Sequence, residues 1–373
     1  MYHIIILTVF NFFFLFGVFR IYNFYAKRVI SRLHAKESST VESNNSISVI
    51  IPARNEEHRI GQLLKSLHDQ TFYPLEVIIV DDHSTDMTAN IVKNFPCRYF
   101  LLDDAAGSGK SSACAYGARQ AQGDWLLFLD ADVILTSDAL AYLAKHIHNQ
   151  VVYTVQPYHV TKQWYEQCSL YSNLVVFLGM ELGTLHKPYK TTRGLFGPCI
   201  VFPKTLYDTV GGHNLVSSSI IEDMALGQIL SQQGIPIISL PHQKKIQFRM
   251  YPEGLRTLFW GWAKNMSMGA SKSNFRTIGI ITGFMGLSID IPLSLLRSIA
   301  TGTTIEFWCM LSLYVLFALL LYDASRRLGS FSIFSCLFFP IFAIFYLLIF
   351  IVSLSMKLLH IPINWRGRKV FLS

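Results

Sequence analysis

The chain has 373 residues, which is enough for one domain of roughly 200 to 250 residues and some additional elements. Apolar residues make up 51% of it and charged residues only 15%. Soluble proteins carry about 25% charged residues, so this composition argues against a purely soluble protein and favours membrane helices. The net charge of +8 is concentrated in basic residues beside apolar runs, which favours a membrane partner over nucleic acid.

The first predicted element is a membrane anchor. Residues 4–25 are almost wholly apolar or aromatic, and Lys27 and Arg28 follow them. No small-residue cleavage site is evident, so we expect a retained anchor over residues 1–26 rather than a signal peptide. A basic and polar linker follows over residues 27–45. We expect a multi-pass protein of the cell membrane, and the positive-inside rule predicts that the domain after this linker lies in the cytoplasm.

Residues 46–249 alternate short apolar strands with amphipathic helical stretches. This pattern predicts an α/β domain with a mostly parallel sheet flanked by helices. Strands are expected over residues 48–51, 75–80, 125–129 and 151–155, with later candidates over 199–202 and 235–240, and a helix over 56–67. Ligands of such sheets bind at the carboxyl ends of the strands, so the residues that follow each strand are the candidate site.

Two polar motifs follow the first two expected strands. P-A-R-N-E begins at Pro52, and D-D-H-S-T-D begins at Asp81. An acidic residue at a strand end can accept hydrogen bonds from a ribose or a base, and Arg54 can stack on a base or bind phosphate. The alternative is helix capping, because Asn55 and Ser84 are good N-cap residues.

D-A-D at residues 130–132 follows the strongly apolar strand predicted over residues 125–129. Side chains at i and i+2 of an extended chain point to the same side, so Asp130 and Asp132 can converge on one Mg²⁺ or Mn²⁺ ion. Such an ion neutralises a diphosphate leaving group. A lone D-x-D is often a solvated turn, but its place after a buried strand favours the metal site.

Two further groups of polar residues could act on a substrate. Glu222 and Asp223 begin a stretch with helical spacing, where a carboxylate can act as a general base or can simply suit the helix dipole. G-S-G-K-S at residues 107–111 looks like a phosphate-binding loop, but Asp104 occupies the position where that pattern requires glycine, so we do not expect a nucleotide triphosphatase. Lys110 can still bind a donor phosphate or begin a solvated helix.

The C-terminal third is predicted to be membrane-associated. Residues 250–275 are aromatic and basic, as in an interfacial segment, and Trp262 and Lys264 could either lie at the membrane interface or close over an acceptor site. Apolar runs over 278–296, 305–322 and 331–356 predict membrane helices within residues 276–356, followed by a basic tail over 357–373. Three crossings would place this tail outside, although its charge favours the inside. Asp290 and Pro292 make the first run a candidate for a re-entrant segment.

Together, P-A-R-N-E, D-D-x-S-T-D, D-A-D and I-E-D resemble the family 2 inverting glycosyltransferases, which have a GT-A fold; the resemblance covers about residues 46–265. It implies a metal-dependent hexosyltransferase that uses a nucleotide sugar. The donor-binding candidates are Ala53, Arg54, Glu56, Asp82, Lys110 and Asp130. The metal-binding candidates are Asp130 and Asp132, the catalytic candidates are Asp223 and Glu222, and the acceptor or diphosphate candidates are Phe196, Gly197, Trp262 and Lys264.

Three other segments resemble the members of this family that attach glucose from UDP-glucose to a carotenoid acid: V-Q-P-Y-H-V-T-K (155–162), F-G-P (196–198) and F-R-M-Y-P-E-G (248–254). We therefore expect UDP-glucose as donor, Mg²⁺ or Mn²⁺ as cofactor and a lipidic acceptor. G-W-A-K (261–264) replaces the Q-x-x-R-W of polysaccharide synthases, which disfavours a processive polymerase.

The acceptor has alternatives. A carotenoid acid is already ionised at pH 7 and hardly needs a base, so an intact Glu222-Asp223 pair also suits a hydroxyl acceptor. Diacylglycerol, a ceramide-like lipid or a polyprenyl phosphate are the alternative acceptors. A non-catalytic membrane scaffold that retains a nucleotide-binding fold is the alternative from another class.

Overall fold

The computed structural model of the chain describes residues 45–103, 107–147, 151–180, 194–217, 222–271, 275–365 and 368–370. These residues belong to two compact units, which we call the α/β unit (the described residues within 45–159 and 194–249) and the helical unit (the described residues within 160–180 and 250–370). The predicted anchor over residues 1–26 and nearly all of the predicted linker lie outside the described residues. Residues 160–180, which the predicted domain over 46–249 includes, group with the C-terminal part of the chain.

The α/β unit contains strands that are mostly short. They are β1 (Ile47–Ala53), β2 (Glu76–Asp81), β3 (Arg98–Leu101), β4 (Trp125–Leu129), β5 (Val133–Leu135), β6 (Val152–Thr154), β7 (Tyr158–His159), β8 (Cys199–Pro203), β9 (Ile237–Ser239) and β10 (Ile246–Phe248). Its helices are α1 (Ile60–His68), α2 (Thr88–Val92), α3 (Lys110–Gln120), α4 (Ala139–His146), α6 (Lys204–Val210) and α7 (Glu222–Gln232), with a 3-10 turn at Gly212–Val216. In the helical unit, α5 (Leu170–Gly179) precedes α6 in the chain.

Seven of these strands form one sheet in the order β3-β2-β1-β4-β8-β6-β9. Neighbouring strands are parallel except at β8, which runs antiparallel to both β4 and β6. This confirms the predicted α/β class with a mostly parallel sheet. Parallel strands end at one edge, so the residues after β1, β2, β4 and β6 are brought to the same side of the sheet.

The core explains why these segments become strands. All five residues of β4 are buried, and β1 is buried along nearly its whole length, as expected for strands covered on both faces. One face packs against α3 and α7 through a cluster that includes Ile50, Phe128 and Val152 from the sheet and Leu226 from α7. The helix α7 is thereby fixed beside the carboxyl ends of the central strands.

The remaining strands β5, β10 and β7 form a second small sheet. β10 is antiparallel to β5 and parallel to β7, and none of the three was predicted as a strand. β3 was not predicted either. The predicted helix over 56–67 begins only at Ile60, because Glu56 lies in the preceding loop and its carbonyl accepts the N–H groups of Arg59 and Ile60.

The helical unit contains a 3-10 helix (Trp164–Ser169), α5, α8 (Leu255–Ser271), α9 (Phe275–Thr301), α10 (Thr304–Leu328), α11 (Ile333–Leu337), α12 (Phe339–Leu358) and a hairpin of β11 (Ile363–Trp365) with β12 (Arg368–Val370). Three of these helices, α9, α10 and α12, are long and apolar enough to cross a membrane by length and composition. Pro292 lies inside α9, which continues through it as one helix of 27 residues. Whether α9 is re-entrant stays a prediction.

Polar contacts join the two chain segments of the helical unit. The hydroxyl of Tyr171 on α5 donates to Ser288 on α9 at 3.0 Å, and Ser335 on α11 donates to the side-chain oxygen of Gln167 at 2.7 Å. Gln167 in turn donates to Thr161 at 2.7 Å. The segment at residues 160–180 is therefore tied to the C-terminal helices by specific hydrogen bonds as well as by apolar packing.

Candidate active site

The loops after β1 and β2 meet through Arg54 and Asp82. The amide of Asp82 donates to the carbonyl of Ala53 at 2.8 Å, which continues the pairing of the two strands beyond their ends. Arg54 Nη1 donates to the carbonyl of Asp82 at 3.0 Å and lies 3.2 Å from its Oδ2 atom. The amide of Gly109 also donates to Asp82 Oδ2, at 3.1 Å. Three predicted donor-binding residues are thus brought together at the carboxyl edge of the sheet.

Asn55 and Ser84 connect these two loops and do not cap the helices. The backbone of Asn55 has a φ of 52° and its amide donates to Ser84 Oγ at 3.0 Å. α1 and α2 begin several residues later, and neither has a side-chain N-cap hydrogen bond. The capping alternative is therefore wrong for both residues. Glu56 is buried and forms an ion pair with Arg59 at 3.1 Å, so its predicted role in donor binding stays a prediction.

Lys110 lies at the centre of a cluster of carboxylates. It is the first residue of α3, directly after Gly109, which has a φ of 98° that favours glycine. Its Nζ atom is 2.7 Å from Asp130 Oδ1, directly after β4, and 3.2 Å from Glu222 Oε1 on α7. The lysine therefore joins the end of a central strand to the start of α7.

Asp223 stands beside this cluster and is held by the backbone. Its Oδ2 atom accepts the amide of Gly197 at 2.9 Å, and its Oδ1 atom accepts the amide of Met224 at 2.8 Å. A Cβ atom at position 197 would lie 2.6 Å from Asp223 Oδ2 and 3.1 Å from Lys110 Nζ. Real Cβ atoms essentially never approach within 3.0 Å, so any larger residue at position 197 would displace the Asp223 carboxylate.

The electrostatics of the cluster follow from burying three carboxylates beside one ammonium group. Burial raises the pKa of Asp130, and Lys110 counteracts this rise. Burial raises the pKa of Asp223 to about 6, and the charge of Glu222 adds to the effect. Burial alone would lower the pKa of Lys110, but Asp130, Glu222 and Asp223 outweigh it and hold that pKa well above its usual value. Among the residues that the structure describes, three carboxylates of this cluster therefore share one ammonium group.

Known proteins resemble this chain along nearly its whole length. The family model described as glycosyl transferase family 2 matches residues 48–211. The 4,4'-diaponeurosporenoate glycosyltransferase of Staphylococcus aureus strain MRSA252 is 33% identical over 361 residues, covering 92% of this chain and 94% of the relative. The chain belongs to glycosyl transferase family 2. The enzyme of the same name from strain USA300 is 33% identical over 353 residues, with the same coverage of both chains.

Among solved structures, a mannosyltransferase of Pyrobaculum calidifontis in complex with GDP-Man and Mn²⁺ is similar to this glycosyltransferase. It is 16% identical, with a TM-score of 0.49, over 94% of this chain and 97% of that chain.

The acidic residues after β4 can be compared with what a divalent ion requires. Within the described residues, no three His, Cys, Asp or Glu side chains form a group that could hold a metal ion. Mg²⁺ commonly uses only one or two carboxylates and takes its other ligands from substrate phosphates and water. Asp130 and Asp132 fit that pattern, and the sharing of one ammonium group by three carboxylates around Asp130 favours a cation that arrives with the donor.

The geometry at Asp132 differs from the expectation. The amide of Val133 donates to the carbonyl of Asp130 at 3.1 Å, so the chain turns after β4 and β5 starts at once. The i and i+2 argument for an extended chain therefore does not apply here. The metal-binding role of Asp132 stays a prediction.

The acceptor candidates lie in different units of this glycosyltransferase. Phe196 is buried in the α/β unit, next to Gly197. Trp262 is buried in the helical unit, where its Nε1 atom donates to Ser169 Oγ at 3.0 Å. The side chain of Trp262 therefore packs in the interior of the helical unit and fixes α8 there, and Lys264 lies on the same helix. The roles of Trp262 and Lys264 at an acceptor site stay predictions.

Thr154 at the end of β6 was not predicted as a site residue. Its hydroxyl accepts the amide of Phe196 at 2.7 Å and lies 3.1 Å from the carbonyl of Cys199. It thereby holds the loop that presents Gly197 to Asp223. A polar residue at the end of a fully buried strand is the signal that could have identified it.

Proposed function

We propose that this glycosyltransferase transfers glucose from UDP-glucose to a carotenoid carboxylic acid such as 4,4'-diaponeurosporenoate, with inversion, in the presence of Mg²⁺ or Mn²⁺. The observation that carries the proposal is the meeting of Asp130, Glu222 and Asp223 around Lys110 at the carboxyl edge of the sheet. The acceptor is taken from the name of the relatives that match 92% of the chain. We also propose that the reaction occurs at the cytoplasmic face of the cell membrane.

The donor is held by two groups of residues in this proposal. Arg54 and Asp82 bind the nucleoside, because both lie in the joined loops after β1 and β2. Lys110 binds the diphosphate, since an ammonium group is a good point charge for phosphate, and Asp130 and Asp132 would hold the divalent cation. When bound, a divalent cation neutralises the charge that develops on the departing UDP.

Asp223 orients the nucleophile. A carboxylic acid acceptor has a pKa of about 4 to 5, so it reaches the site already ionised and attacks the anomeric carbon without needing a base. Two backbone amides hold Asp223 in one orientation, and its raised pKa lets it carry a proton with which it hydrogen-bonds to one oxygen of the acceptor carboxylate while the other oxygen attacks. The bond from the anomeric carbon to the diphosphate breaks as the ester bond forms, on the face opposite the leaving group.

The helical unit gives an apolar acceptor its place in the bilayer. The three candidate membrane helices α9, α10 and α12 expose many large apolar side chains, as a lipid-facing surface requires. Lys264 on α8 is proposed to offset charge on the departing UDP. A soluble acceptor would need none of these features.

The test uses the full chain in lipid nanodiscs with labelled UDP-glucose, Mg²⁺ or Mn²⁺, and 4,4'-diaponeurosporenoate. We expect a labelled lipid from which mild alkali releases free labelled glucose, because the product is a glucosyl ester, whereas the glycosidic bond to a hydroxyl lipid would survive this treatment. Asp130→Asn should abolish transfer, whereas Asp138→Asn, at an acid on the protein surface, should not. UDP binding without any transfer to this acid contradicts the proposal, and label that stays bonded to the acceptor alcohol after alkali, rather than appearing as free glucose, identifies a different acceptor.

A further inference from the structure

Gln156 is a buried residue whose side-chain oxygen carries the inference. The residue is 8% exposed, and its buried Oε1 atom has no hydrogen-bond partner among the residues that the structure describes. Buried side-chain amides nearly always have a hydrogen-bond partner, because burying a polar atom without a hydrogen bond costs free energy. The position belongs to the V-Q-P-Y-H-V-T-K segment, to which the proposed reaction gives no role. An oxygen of this kind is expected to have its partner in the substrate complex.

The backbone places Gln156 at the same edge of the sheet as Asp130. The amide of Val155 donates to the carbonyl of Cys199 at 3.0 Å, which continues the β6–β8 pairing past the end of β6. The amide of Asp130 donates to the carbonyl of Pro198 at 3.2 Å, which does the same for β4 and β8. β4 and β6 both run antiparallel to β8, so their carboxyl ends flank the loop that contains Gly197.

The alternation of side chains places Gln156 on the face covered by α7. Phe128 and Val152 both belong to the core cluster that contains Leu226 of α7. Side chains two residues apart on an extended chain lie on the same face of the sheet. The side chain of Asp130 is therefore on the face of Phe128, and that of Gln156 is on the face of Val152 and Thr154. Gln156 precedes Pro157, which favours extended backbone at this position. Asp223 begins the same helix that covers this face.

The chemistry of the orphaned atom selects its partner. An amide oxygen only accepts hydrogen bonds, so it needs an O–H or N–H group. The ionised carboxylate and the hydrocarbon chain of the proposed acceptor offer neither, whereas a hexose offers several hydroxyls. We propose that Gln156 Oε1 accepts a hydrogen bond from one hydroxyl of the donor's hexose, and so contributes to the choice of sugar. This inference rests on the proposed function for the nature of the donor.

Gln156→Leu tests the inference because it keeps the size of the side chain and removes the amide. Titration of the full chain in nanodiscs with Mn²⁺ should show UDP-glucose affinity lowered by roughly tenfold to a hundredfold, with the affinity for UDP unchanged. The midpoint of thermal unfolding without donor should stay equal or rise, since the substitution removes a buried polar atom with no partner. Gln122→Leu, at an exposed site in the turn before β4, is the matched control and should change neither affinity.

A series of deoxyglucose donors identifies the hydroxyl. Wild type should bind one UDP-deoxyglucose more weakly than UDP-glucose. The Gln156→Leu variant should bind these two donors equally well, because removing the hydroxyl and removing the amide delete the same contact. Additive losses with every deoxy donor, an equal loss of UDP affinity, or a lower unfolding midpoint with unchanged sugar affinity would each overturn the inference. These titrations need no acceptor. If glucose transfer to the carotenoid acid fails while the Gln156 effect persists, only the proposed acceptor is wrong.

Discussion

Replacing Gly197 with alanine tests whether the orientation of Asp223 governs transfer. The added Cβ would lie 2.6 Å from Asp223 Oδ2, against about 3.4 Å for an ordinary contact, so the carboxylate must move by roughly 0.8 Å. That movement stretches the hydrogen bond from the Gly197 amide, which is now 2.9 Å long. A misplacement of about 1 Å near the reacting atoms can reduce turnover by about 100-fold. We therefore expect kcat to fall by roughly 10- to 100-fold.

The assay compares kcat, the KM for UDP-glucose and the thermal unfolding midpoint of wild type and Gly197→Ala. Gly61→Ala in α1 is the matched control, because a Cβ atom at position 61 would lie at an ordinary contact distance of 3.4 Å from Ile91 on α2. The control should keep full activity and gain slightly in stability from the better helix propensity of alanine. If Gly197→Ala folds and keeps kcat within twofold of wild type, then the position of Asp223 does not limit the reaction and its assigned role fails.

Three other predictions concern the charges of the site. Lys110→Met should lower the free energy of unfolding by about 1 to 3 kcal/mol at pH 7 and by less at pH 4.5, because protonation of Asp223, whose pKa is raised to about 6, removes one of the buried negative charges; denaturation at both pH values measures this, and an equal loss at both contradicts it. With a hydroxyl acceptor, kcat/KM should fall as the pH drops below about 6, because Asp223 must be ionised to act as a base. With a carboxylic acid acceptor, kcat/KM should persist down to about pH 4 to 5, where the acceptor itself becomes protonated. A pH profile with each acceptor therefore distinguishes Asp223 as a general base from Asp223 as an orienting group. Arg54→Met removes the hydrogen bond to the Asp82 carbonyl and should weaken UDP binding by about tenfold without changing kcat; unchanged UDP affinity in a binding titration would argue against a nucleoside role for Arg54.

The sheet was predictable where one strand carries its own signal. β4 was predicted with its observed bounds, because five consecutive buried apolar residues between polar neighbours suit only a strand at the centre of the sheet. β5, β7 and β10 have two or three residues each, and they exist because distant segments pair with one another. β3 lies at the edge of the sheet and begins with the charged residue Arg98, so its sequence lacks the continuous apolar run that indicates a strand. Such elements depend on tertiary pairing that no local pattern records.

The sequence indicated which residues belong to the site, but it did not indicate which of their side chains contact one another. The motifs indicated Asp130 and Glu222 separately. The place of Asp130 after a buried strand favoured a metal site, whereas an ordinary acidic start of a helix was an equal alternative for Glu222. Their common contact with Lys110 arises because α3, β4 and α7 share one core cluster, which is a non-local property. The turn at Asp132 was also beyond the sequence, because the immediate start of β5 depends on its pairing with β10.

The division of the chain constrains how a water-soluble catalytic fragment can be produced. The polypeptide leaves the α/β unit after β7, contributes α5 to the helical unit, and returns to form β8 in the middle of the sheet. Deleting only the residues after 249 would leave Tyr171 and its neighbours on α5 without the helices that bury them. Such a fragment would expose apolar surface and aggregate. Protein engineers would have to replace this internal excursion with a short polar connection as well as remove the C-terminal helices.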